Sequence, residues 1–304
     1  MGLIDTISSG LQLPVPLIGN VVRKASYAYK EYRIPKIKGG YHLIHHPSKE
    51  LKALQRWLLR NIVTKWPVHN AAFAYREGRG IKGNASMHVK SRYLLRMDFE
   101  NFFPSITWED IDFYLRSKPP GTEGWSDVDR DLFLQIVCRK RCLVIGAPTS
   151  PAVSNALCFE LDKRLSTKSE AEDVVYTRYA DDLFFSTAQR DILGKFPKIV
   201  SEEVNAIRCP ANLRVNMEKT RHASKRGRRQ VTGLVLSSDG RIALGRYRKR
   251  YIRRQLYRLD QLSLKERNEL SGLIAYAMSV ETDIINDLIL KFGQERVAKA
   301  RNPK

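Results

Sequence analysis

Cysteine is scarce in this sequence, and its few cysteines form no recognisable pattern. Of 304 residues only four are cysteines: Cys138, Cys142, Cys158 and Cys209. None belongs to a C-x-x-C pair, and none has the spacing to histidine that zinc ligands show. The sequence therefore offers no disulfide framework and no zinc site. We expect free thiols, buried in a protein of the reducing bacterial cytoplasm.

Long hydrophobic runs are also missing. The first 24 residues are apolar in patches, but Asp5, Pro14 and Pro16 interrupt them and no basic leader precedes them. This arrangement argues against a signal peptide. No other segment is long and apolar enough to span a bilayer, so we expect no membrane insertion.

Acidic residues are in short supply relative to basic ones. The 32 Asp and Glu residues face 53 Lys and Arg residues, which leaves a formal net charge of +21. Such an excess favours a polyanionic partner, with nucleic acid ahead of an anionic membrane. A basic surface without a partner is the alternative. With 43% hydrophobic and 28% charged residues, the composition is that of a folded protein and excludes general disorder.

The positive charge is concentrated towards the C-terminal end. Between Lys219 and Arg258 a single acid, Asp239, stands among fourteen cations, here called the basic stripe: Lys219, Arg221, Lys225, Arg226, Arg228, Arg229, Arg241, Arg246, Arg248, Lys249, Arg250, Arg253, Arg254 and Arg258. Tyr247, Tyr251 and Tyr257 lie between these cations. Tyrosines can stack on bases while arginines meet phosphates. A solvated basic helix is the alternative interpretation.

Apolar periodicity and breaker residues predict a mixture of helices and strands. Residues 1–30 read as short helices, and Ile34, Ile37, Tyr41, Leu43 and Ile44 alternate around Gly39-Gly40 as in a hairpin. Ser48 caps a predicted helix at 51–62, and the Gly- and Arg-rich residues 74–85 read as a loop. Further strands are predicted at 93–99, 174–180, 183–186 and 231–236, and further helices at 108–115, 127–142, 152–165, 193–207 and through most of 246–297.

Acids stand at the ends of two predicted strands. Asp98 ends one strand, and Tyr179-Ala180-Asp181-Asp182 forms the turn between two others. Neighbouring strands can bring such carboxylates together, and clustered carboxylates hold the two divalent cations that phosphoryl transfer from a nucleoside triphosphate requires. Taken alone the Y-x-D-D string is weak, because an acidic β-turn is a commoner reason for two adjacent aspartates.

The order of several motifs resembles that of the reverse transcriptase family, from about residue 34 to residue 293. The segment 95–106, LRMDFENFFPSI, is similar to the first catalytic motif. The resemblance implies that Asp98 binds both metal ions and that the Phe99 carbonyl lies in the metal shell. It also places Phe103 where the family keeps a bulky gate against the sugar 2′-hydroxyl. A core phenylalanine is the alternative for Phe103.

Two more boxes carry the resemblance. Residues 146–151, GAPTSP, followed by Ser154-Asn155, are similar to the motif that lines the nucleotide pocket, which assigns Gly146, Ala147 and Pro148 to nucleotide binding. Ile145 departs from the pattern, because many relatives have Gln there and a polar contact to the nucleotide is then missing. In the Y-x-D-D box the resemblance makes Asp181 a metal ligand and Asp182 a metal-site residue that supports it.

Cations complete the implied site. Lys219, in Asn216-Met217-Glu218-Lys219-Thr220, resembles the lysine that lies near the departing pyrophosphate, and it counts among the catalytic residues with the three aspartates. One more lysine of the basic stripe is the alternative. Three cations of the predicted 74–85 loop are candidates for gripping template or triphosphate: Arg76, Arg79 and Lys82.

Two short elements narrow the resemblance to retron reverse transcriptases. Residues 84–88, NASMH, match an N-A-x-x-H element, and Val231-Thr232-Gly233 match a V-T-G element. Each is weak alone, since His88 reads equally as an ordinary surface histidine. Together they flank the catalytic boxes in the expected order. Together with residues of the basic stripe and its tyrosines, these elements give the implied RNA-binding set: His88, Val231, Thr232, Gly233, Arg246, Arg250, Tyr251, Arg253 and Arg254.

The resemblance implies an α+β right hand. We expect an N-terminal helical arm at 1–30, fingers at 31–90, a palm of antiparallel sheet and helices at 91–240, and a helical RNA-binding thumb at 241–304. It implies an RNA-directed DNA polymerase that uses two Mg²⁺ ions, with Mn²⁺ as a substitute. The implied substrates are deoxynucleoside triphosphates.

The implied partners are a cognate non-coding RNA, its branched RNA–DNA product and an effector protein. Retron enzymes start from a guanosine 2′-hydroxyl of that RNA and act in phage defence. Two alternatives stay open at the level of sequence. One is a group II intron-like or diversity-generating reverse transcriptase, and the other is an RNA-binding scaffold with the same fold.

Overall fold

A computed structural model describes residues 2–35 and 39–303, so Ile37 of the predicted hairpin lies outside the described residues. The helices are α1 (Leu3–Leu11), α2 (Val15–Arg23), α3 (Lys49–Asn61), α4 (Ile81–His88), α5 (Trp108–Arg116), α6 (Asp127–Val137), α7 (Ser150–Leu157), α8 (Phe159–Glu170), α9 (Phe196–Ala206), α10 (Arg246–Tyr257), α11 (Leu264–Val280), α12 (Ile284–Phe292) and α13 (Gln294–Arg301). The strands are β1 (Tyr29–Pro35), β2 (Tyr41–Pro47), β3 (Tyr93–Asp98), β4 (Val175–Tyr179), β5 (Asp182–Thr187), β6 (Arg221–Ser224), β7 (Arg229–Val231), β8 (Leu234–Leu236) and β9 (Ile242–Ala243).

A four-stranded antiparallel sheet occupies the middle of the molecule, in the order β4-β5-β3-β6. Successive side chains of a strand point to opposite faces. Leu95 and Met97 of β3 therefore enter one hydrophobic core, while Leu94 enters a second core on the other face. Phe185 and Phe184 of β5 divide in the same way. Because both faces are covered, the apolar residues in the middle of β5, Leu183 to Phe185, are all buried.

The two cores collect different parts of the chain. The first is built by α1, α2, α3 and α5 to α9 against one face of the sheet. The second is built by α4, the β7-β8-β9 sheet and helices α10 to α13 against the other face. From Arg229 to Arg258 the basic stripe belongs to the second group of elements, whereas Lys219 and Arg221 lie beside and on β6 of the central sheet. The candidate catalytic residues lie where the central sheet meets the first core.

The predicted hairpin is confirmed in β1 and β2, which pair from Tyr29↔Pro47 to Pro35↔Tyr41. It is tied to the rest of the chain at the Ile145 carbonyl, which accepts a 2.7 Å hydrogen bond from the His45 amide. The predicted Ser48 cap is also present, since the Ser48 hydroxyl accepts a hydrogen bond from the Leu51 amide at the start of α3.

Four sequence predictions need correction. The helix predicted at 152–165 is two helices, α7 and α8, because the backbone leaves helical geometry at Cys158. The strand predicted at 231–236 is a hairpin, since Thr232 and Gly233 have φ of 47° and 81°, as a two-residue type I′ turn requires. The predicted 74–85 loop stops at Gly80, where α4 begins, and α6 ends at Val137, short of residue 142.

Within residues 2–35 and 39–303, no helix is long and apolar enough to cross a membrane.

Candidate active site

The three predicted catalytic aspartates come together at one end of the central sheet. Asp98 and Asp182 face each other on the paired strands β3 and β5. Asp181 lies in the turn before β5, where Ala180 has a φ of 57° and the Phe99 amide donates a 3.0 Å hydrogen bond to the Asp181 carbonyl. Residue 98 therefore lies beside the acidic turn because of strand register, which fixes the turn against β3.

Two cations contact this acidic cluster, and they contact different carboxylates. The Lys219 ammonium donates a hydrogen bond to Asp98 Oδ1 at 2.6 Å. Lys219 is held near β3 by the preceding turn, where the Asn216 amide donates to the Asp98 carbonyl at 2.8 Å. The Arg96 guanidinium donates to both oxygens of Asp182, at 2.8 and 3.1 Å. Arg96, a residue of the same sheet, thus holds the Asp182 carboxylate in place.

Crowded negative charge shapes the protonation of the acidic turn. Burial and the nearby Asp98 carboxylate raise the pKa of Asp181 above its ordinary value. Burial raises the pKa of Asp182 to about 6, although Arg96 acts in the opposite direction. A divalent cation between Asp98 and Asp181 would relieve this repulsion, so the ionised forms and the cation stabilise each other.

The donor set fits a hard cation that also binds substrate. Asp98, Asp181 and the Phe99 carbonyl offer oxygen ligands, which Mg²⁺ prefers. Among the residues that the structure describes, no group of three or more His, Cys, Asp or Glu side chains could hold a metal by itself. An ion here would therefore complete its shell with water and triphosphate oxygens, as Mg²⁺ does in phosphoryl-transfer sites.

A cavity of about 740 Å³ opens onto the acidic turn. Its size is within the range of small-molecule pockets. Phe103 and Ile145 line it as half-buried residues, together with the hairpin and Lys219. The full lining is Ile34, Tyr41, His42, Leu43, Ile44, His45, Tyr75, Phe99, Glu100, Asn101, Phe102, Phe103, Pro104, Val144, Ile145, Asp181, Asn216 and Lys219.

The GAPTSP loop borders this cavity through its preceding residues. Val144 and Ile145 reach the cavity, whereas Gly146, Ala147 and Pro148 do not line it. Gly146 has a φ of 107°, and a Cβ built on it would lie 2.6 Å from the His45 carbonyl oxygen. The glycine is thus required by close approach of the hairpin backbone. Nucleotide contact by residues 146–148 stays a prediction.

The structure does not bring the three predicted gripping cations to the cavity. The Arg76 guanidinium donates to the His69 and Ala72 carbonyls, at 2.9 and 3.2 Å. Arg79 donates to the Asn70 carbonyl and lies over the Phe73 ring at 4.7 Å. Lys82, on α4, donates to the Ser279 carbonyl of α11 at 3.0 Å. These side chains make contacts within the chain, and a part in gripping template or triphosphate stays a prediction for them.

Tyr75, which the sequence interpretation did not single out, is at the cavity. Its φ is 59°, and 53% of its surface is exposed. Partial burial, followed by the nearby Asp181 carboxylate, raises the pKa of its hydroxyl. In the sequence, a tyrosine within a Gly- and Arg-rich loop gave no indication that it would lie at the cavity. The positive φ is a property of the folded backbone alone.

A fully buried arginine stands behind the acidic turn. The Arg178 guanidinium forms two-point hydrogen bonds with the Asp162 carboxylate of α8, between 2.7 and 3.1 Å. The same guanidinium donates to the Ala180 carbonyl and to the Asn155 side-chain oxygen, both at 3.1 Å. A charge without solvent exposure needs such complete pairing. The pairing fixes the turn that carries Asp181 against α7 and α8.

The two elements that suggested a retron enzyme lie against each other. Helix α4 carries the N-A-x-x-H residues, and the β7–β8 turn is the V-T-G element. The Thr232 hydroxyl donates to the Ile81 carbonyl at 3.2 Å, and Arg248 of α10 donates to the Gly233 carbonyl at 3.0 Å. These contacts join α4, the hairpin and the first helix of the C-terminal group.

Some predicted RNA contacts need correction. His88 and Val231 are fully buried. The two ring nitrogens of His88 are hydrogen-bonded to Ser186 at 2.8 Å and to Thr177 at 2.7 Å, so its side chain joins α4 to β5 and β4. Within the basic stripe Arg229 is buried as well. These side chains have no surface to offer RNA, and they act in the fold.

The remaining stripe presents a basic surface. Arg246, Arg250 and Arg254 are exposed on α10, Arg253 and Tyr251 are half-buried, and Arg254 lies over the Tyr251 ring at 5.4 Å. A second cavity, of about 700 Å³, opens between α10 and the β6–β7 connection. Its cations are Lys225, Arg226, Arg228, Arg246 and Lys249. Such clustering is typical of a phosphate-binding surface.

Comparison with known proteins decides the family. Residues 34–236 match the family model described as reverse transcriptase (RNA-dependent DNA polymerase). The chain is 35% identical to the retron Ec83 reverse transcriptase of Escherichia coli over 280 residues, which is 88% of each chain. The chain belongs to the retron-type reverse transcriptases. It is 36% identical to the retron Ec73 enzyme over 88% of this chain and 87% of that one, and 30% identical to the retron Ec86 enzyme over 99% and 94%.

This reverse transcriptase also shares its fold with a solved structure. Apo telomerase from Candida Tropicalis superposes with a TM-score of 0.51 at 12% identity, over 89% of this chain and 59% of the telomerase chain. The fold is therefore the α+β right hand of fingers, palm and thumb, and the activity of the family is RNA-directed DNA synthesis with divalent metal ions. The domain boundaries at residues 30, 90 and 240 stay a prediction.

Proposed function

We propose that Asp98 and Asp181, with the Phe99 carbonyl, hold two Mg²⁺ ions, which Mn²⁺ can replace. The observation that carries the proposal is the meeting of Asp98, Asp181 and Lys219 at one end of a nucleotide-sized cavity. When bound, the ions would activate the primer hydroxyl and brace the triphosphate. Asp182 would support the site through its ion pair with Arg96, while Asp98 and Asp181 would bind the metal ions directly.

Lys219 has two tasks in this proposal. Before substrate binds, its ammonium neutralises Asp98. Its side chain is 60% exposed, so it is free to leave that carboxylate when a metal takes its place. The ammonium would then face the triphosphate, where it would disperse the charge of the leaving pyrophosphate and could give it a proton. Phe103, on the cavity wall, acts as the gate against ribonucleotides.

We further propose that the RNA partner is a cognate retron RNA. The basic stripe would hold its stem-loop through phosphates and helix shape. Synthesis would start from the 2′-hydroxyl of a guanosine in that RNA and yield branched RNA–DNA. The similarity to several retron enzymes over most of the chain supports this proposal. We also propose an antiphage role together with a separate effector protein, as the resemblance to retron enzymes implies.

The priming proposal is tested with purified protein and an RNA transcribed from any inverted repeat that is found in the DNA beside its gene. Each guanosine of the unpaired region is replaced in turn by 2′-deoxyguanosine, and incorporation of labelled deoxynucleotide is measured. We expect one replacement to abolish synthesis, because it removes the attacking hydroxyl, while an added DNA primer restores it.

The control is deoxy substitution at a neighbouring unpaired adenosine, which should leave synthesis unchanged. Synthesis that survives every guanosine replacement would contradict 2′-hydroxyl priming. Absence of any self-primed product would likewise contradict 2′-hydroxyl priming, without changing the family to which the chain belongs.

A further inference from the structure

Tyr75 has an unusual backbone conformation for its residue type. A tyrosine with a φ of 59° is in the left-handed region, which is strained for bulky L-residues. Packing does not explain the strain, because 53% of the residue is exposed. Among residues 2–35 and 39–303, no group accepts or donates a hydrogen bond at its hydroxyl. The free protein therefore gains little stability from holding this ring in place.

Buried contacts of the two residues before Tyr75 fix the backbone that leads into it. The Asn155 side-chain amide donates to the Ala74 carbonyl at 2.8 Å. The Phe73 amide donates to the Arg178 carbonyl at 2.8 Å. Asn155 is itself fixed by the Arg178 guanidinium, which also holds the Ala180 carbonyl. One buried cluster thus sets the position of Tyr75 relative to the turn that carries Asp181.

The surroundings of the ring indicate what it meets. Tyr75 lines the same cavity as Asp181, Lys219 and Phe103. Phosphates belong near Lys219 and the carboxylates, so the base of the same nucleotide lies farther along the cavity wall. An aromatic ring on that wall can pack against any base, because every base has a π-face.

We propose that Tyr75 is a substrate-contacting residue whose ring packs against the base pair formed by the incoming deoxynucleotide and the template. This inference rests on the proposed placement of the metal ligands at Asp98 and Asp181. It adds a contact in the loop before α4, where Arg76, Arg79 and Lys82 turn away from the cavity.

The test is single-nucleotide incorporation on a primed RNA template, measured over a range of deoxynucleotide concentrations. Tyr75→Asn removes the ring but keeps a residue that tolerates positive φ. We expect its KM for the deoxynucleotide to rise about tenfold, the loss of one base-stacking contact, with kcat within about twofold of the parent. Tyr75→Phe keeps the ring, so its KM should stay near that of the parent.

Controls separate this contact from folding and from the metal site. Tyr27→Asn changes another tyrosine, 87% exposed and away from the cavity, and should leave KM unchanged. The melting temperature of Tyr75→Asn should equal or exceed that of the parent, because the strain is relieved. An unchanged KM in Tyr75→Asn, or a Tyr75→Phe variant as impaired as Tyr75→Asn, would overturn the ring contact. Failure of the metal assignment would appear elsewhere, as undiminished synthesis by Asp181→Asn.

Discussion

At the scale of single residues, the acidic cluster uses its cations selectively. Lys219 pairs with Asp98, and Arg96 pairs with Asp182. Arg96 lies two residues before Asp98 on β3, opposite Phe184, and its side chain reaches Asp182 diagonally across the strand pair, so its partner was not apparent from linear sequence. Strand register decides such pairs, and register depends on the whole sheet.

His88 shows how a motif residue can be essential without touching a ligand. Its side chain is fully buried, and burial lowers its pKa to about 3. The folded protein therefore keeps His88 neutral at pH values where the unfolded chain, with a pKa of about 6.5, takes up a proton. Its contribution to stability is complete above about pH 6.5 and is lost as the pH falls towards about 3.

We predict that His88→Gln flattens the acid limb of the stability curve. Between about pH 6 and pH 4 the parent should lose up to about 1.4 kcal/mol per pH unit more than the variant, since one fewer proton is taken up on unfolding. Denaturant unfolding at several pH values measures this difference. His222→Gln, an exposed histidine on β6, is the control and should keep the slope of the parent. Parallel curves for His88→Gln and the parent would contradict the neutral buried histidine.

Residue identities at the site could be predicted, but their contacts could not. Asp98, Asp181 and Lys219 were chosen from motifs, and the structure brings them together. Arg76, Arg79 and Lys82 were chosen because a Gly- and Arg-rich loop favours phosphate, and they bind backbone carbonyls instead. Charge in a loop does not specify direction. Tyr75 was missed because its signal is a backbone angle.

At the scale of elements, the β1–β2 hairpin docks on the loop before α7 through backbone atoms. The Ile145 carbonyl accepts from the His45 amide, and Gly146 gives the His45 carbonyl room. The hairpin forms one wall of the cavity, so this contact sets the width of the nucleotide pocket. Ile145 therefore contributes to the pocket through its carbonyl as well as its side chain.

Gly146→Ala should disturb that docking. A Cβ 2.6 Å from a carbonyl oxygen forces the hairpin away, and a misplacement of about 1 Å can cost about 100-fold in catalytic efficiency. We expect kcat/KM for deoxynucleotide to fall by about that factor. Gly240→Ala is a matched control, with a φ of 84° and open space around the new methyl group. Equal effects of the two changes on kcat/KM would show that backbone strain, and not hairpin docking, is responsible.

Element types were easier to predict than their boundaries. The apolar runs of β3 and β5 and the Ser48-capped helix α3 were recognised because their patterns are long or capped. The break at Cys158 was not recognised. The β7–β8 turn was not recognised either, because Thr232 carries a positive φ that its residue type disfavours. Contacts with α4 and α10 stabilise that turn. Tertiary structure overrides local preference there.

At the scale of the whole molecule, the candidate catalytic residues and most of the exposed basic residues lie beside different cores. The acidic turn and its cavity lie where the sheet meets the hairpin and the first core. The exposed part of the basic stripe lies on elements of the second core, on α10 and beside β7. A net charge of +21 predicted a polyanion as partner, but only the fold shows which cations share a surface.

RNA binding should accordingly depend strongly on salt. Replacing the exposed cations Arg246, Arg250 and Arg254 by Gln should lower the slope of log K against log salt by about two units, since each phosphate contact contributes about 0.7–0.9. Filter binding at several salt concentrations measures the slope. Replacing the exposed Lys49, Lys163 and Lys198 by Gln changes the net charge equally, outside the stripe. The same slope in both triple variants would exclude the stripe as the docking surface.

The central claim is that Asp98 and Asp181 carry the chemistry of DNA synthesis. Asp181→Asn preserves size and hydrogen bonding but removes the charge that a divalent ion requires. Asp191→Asn, an exposed aspartate after β5, is the matched control. On a primed RNA template with Mg²⁺, we expect Asp181→Asn to lose deoxynucleotide incorporation by at least about 1000-fold while it binds RNA and melts like the parent, and Asp191→Asn to remain fully active. Undiminished synthesis by Asp181→Asn would contradict the account.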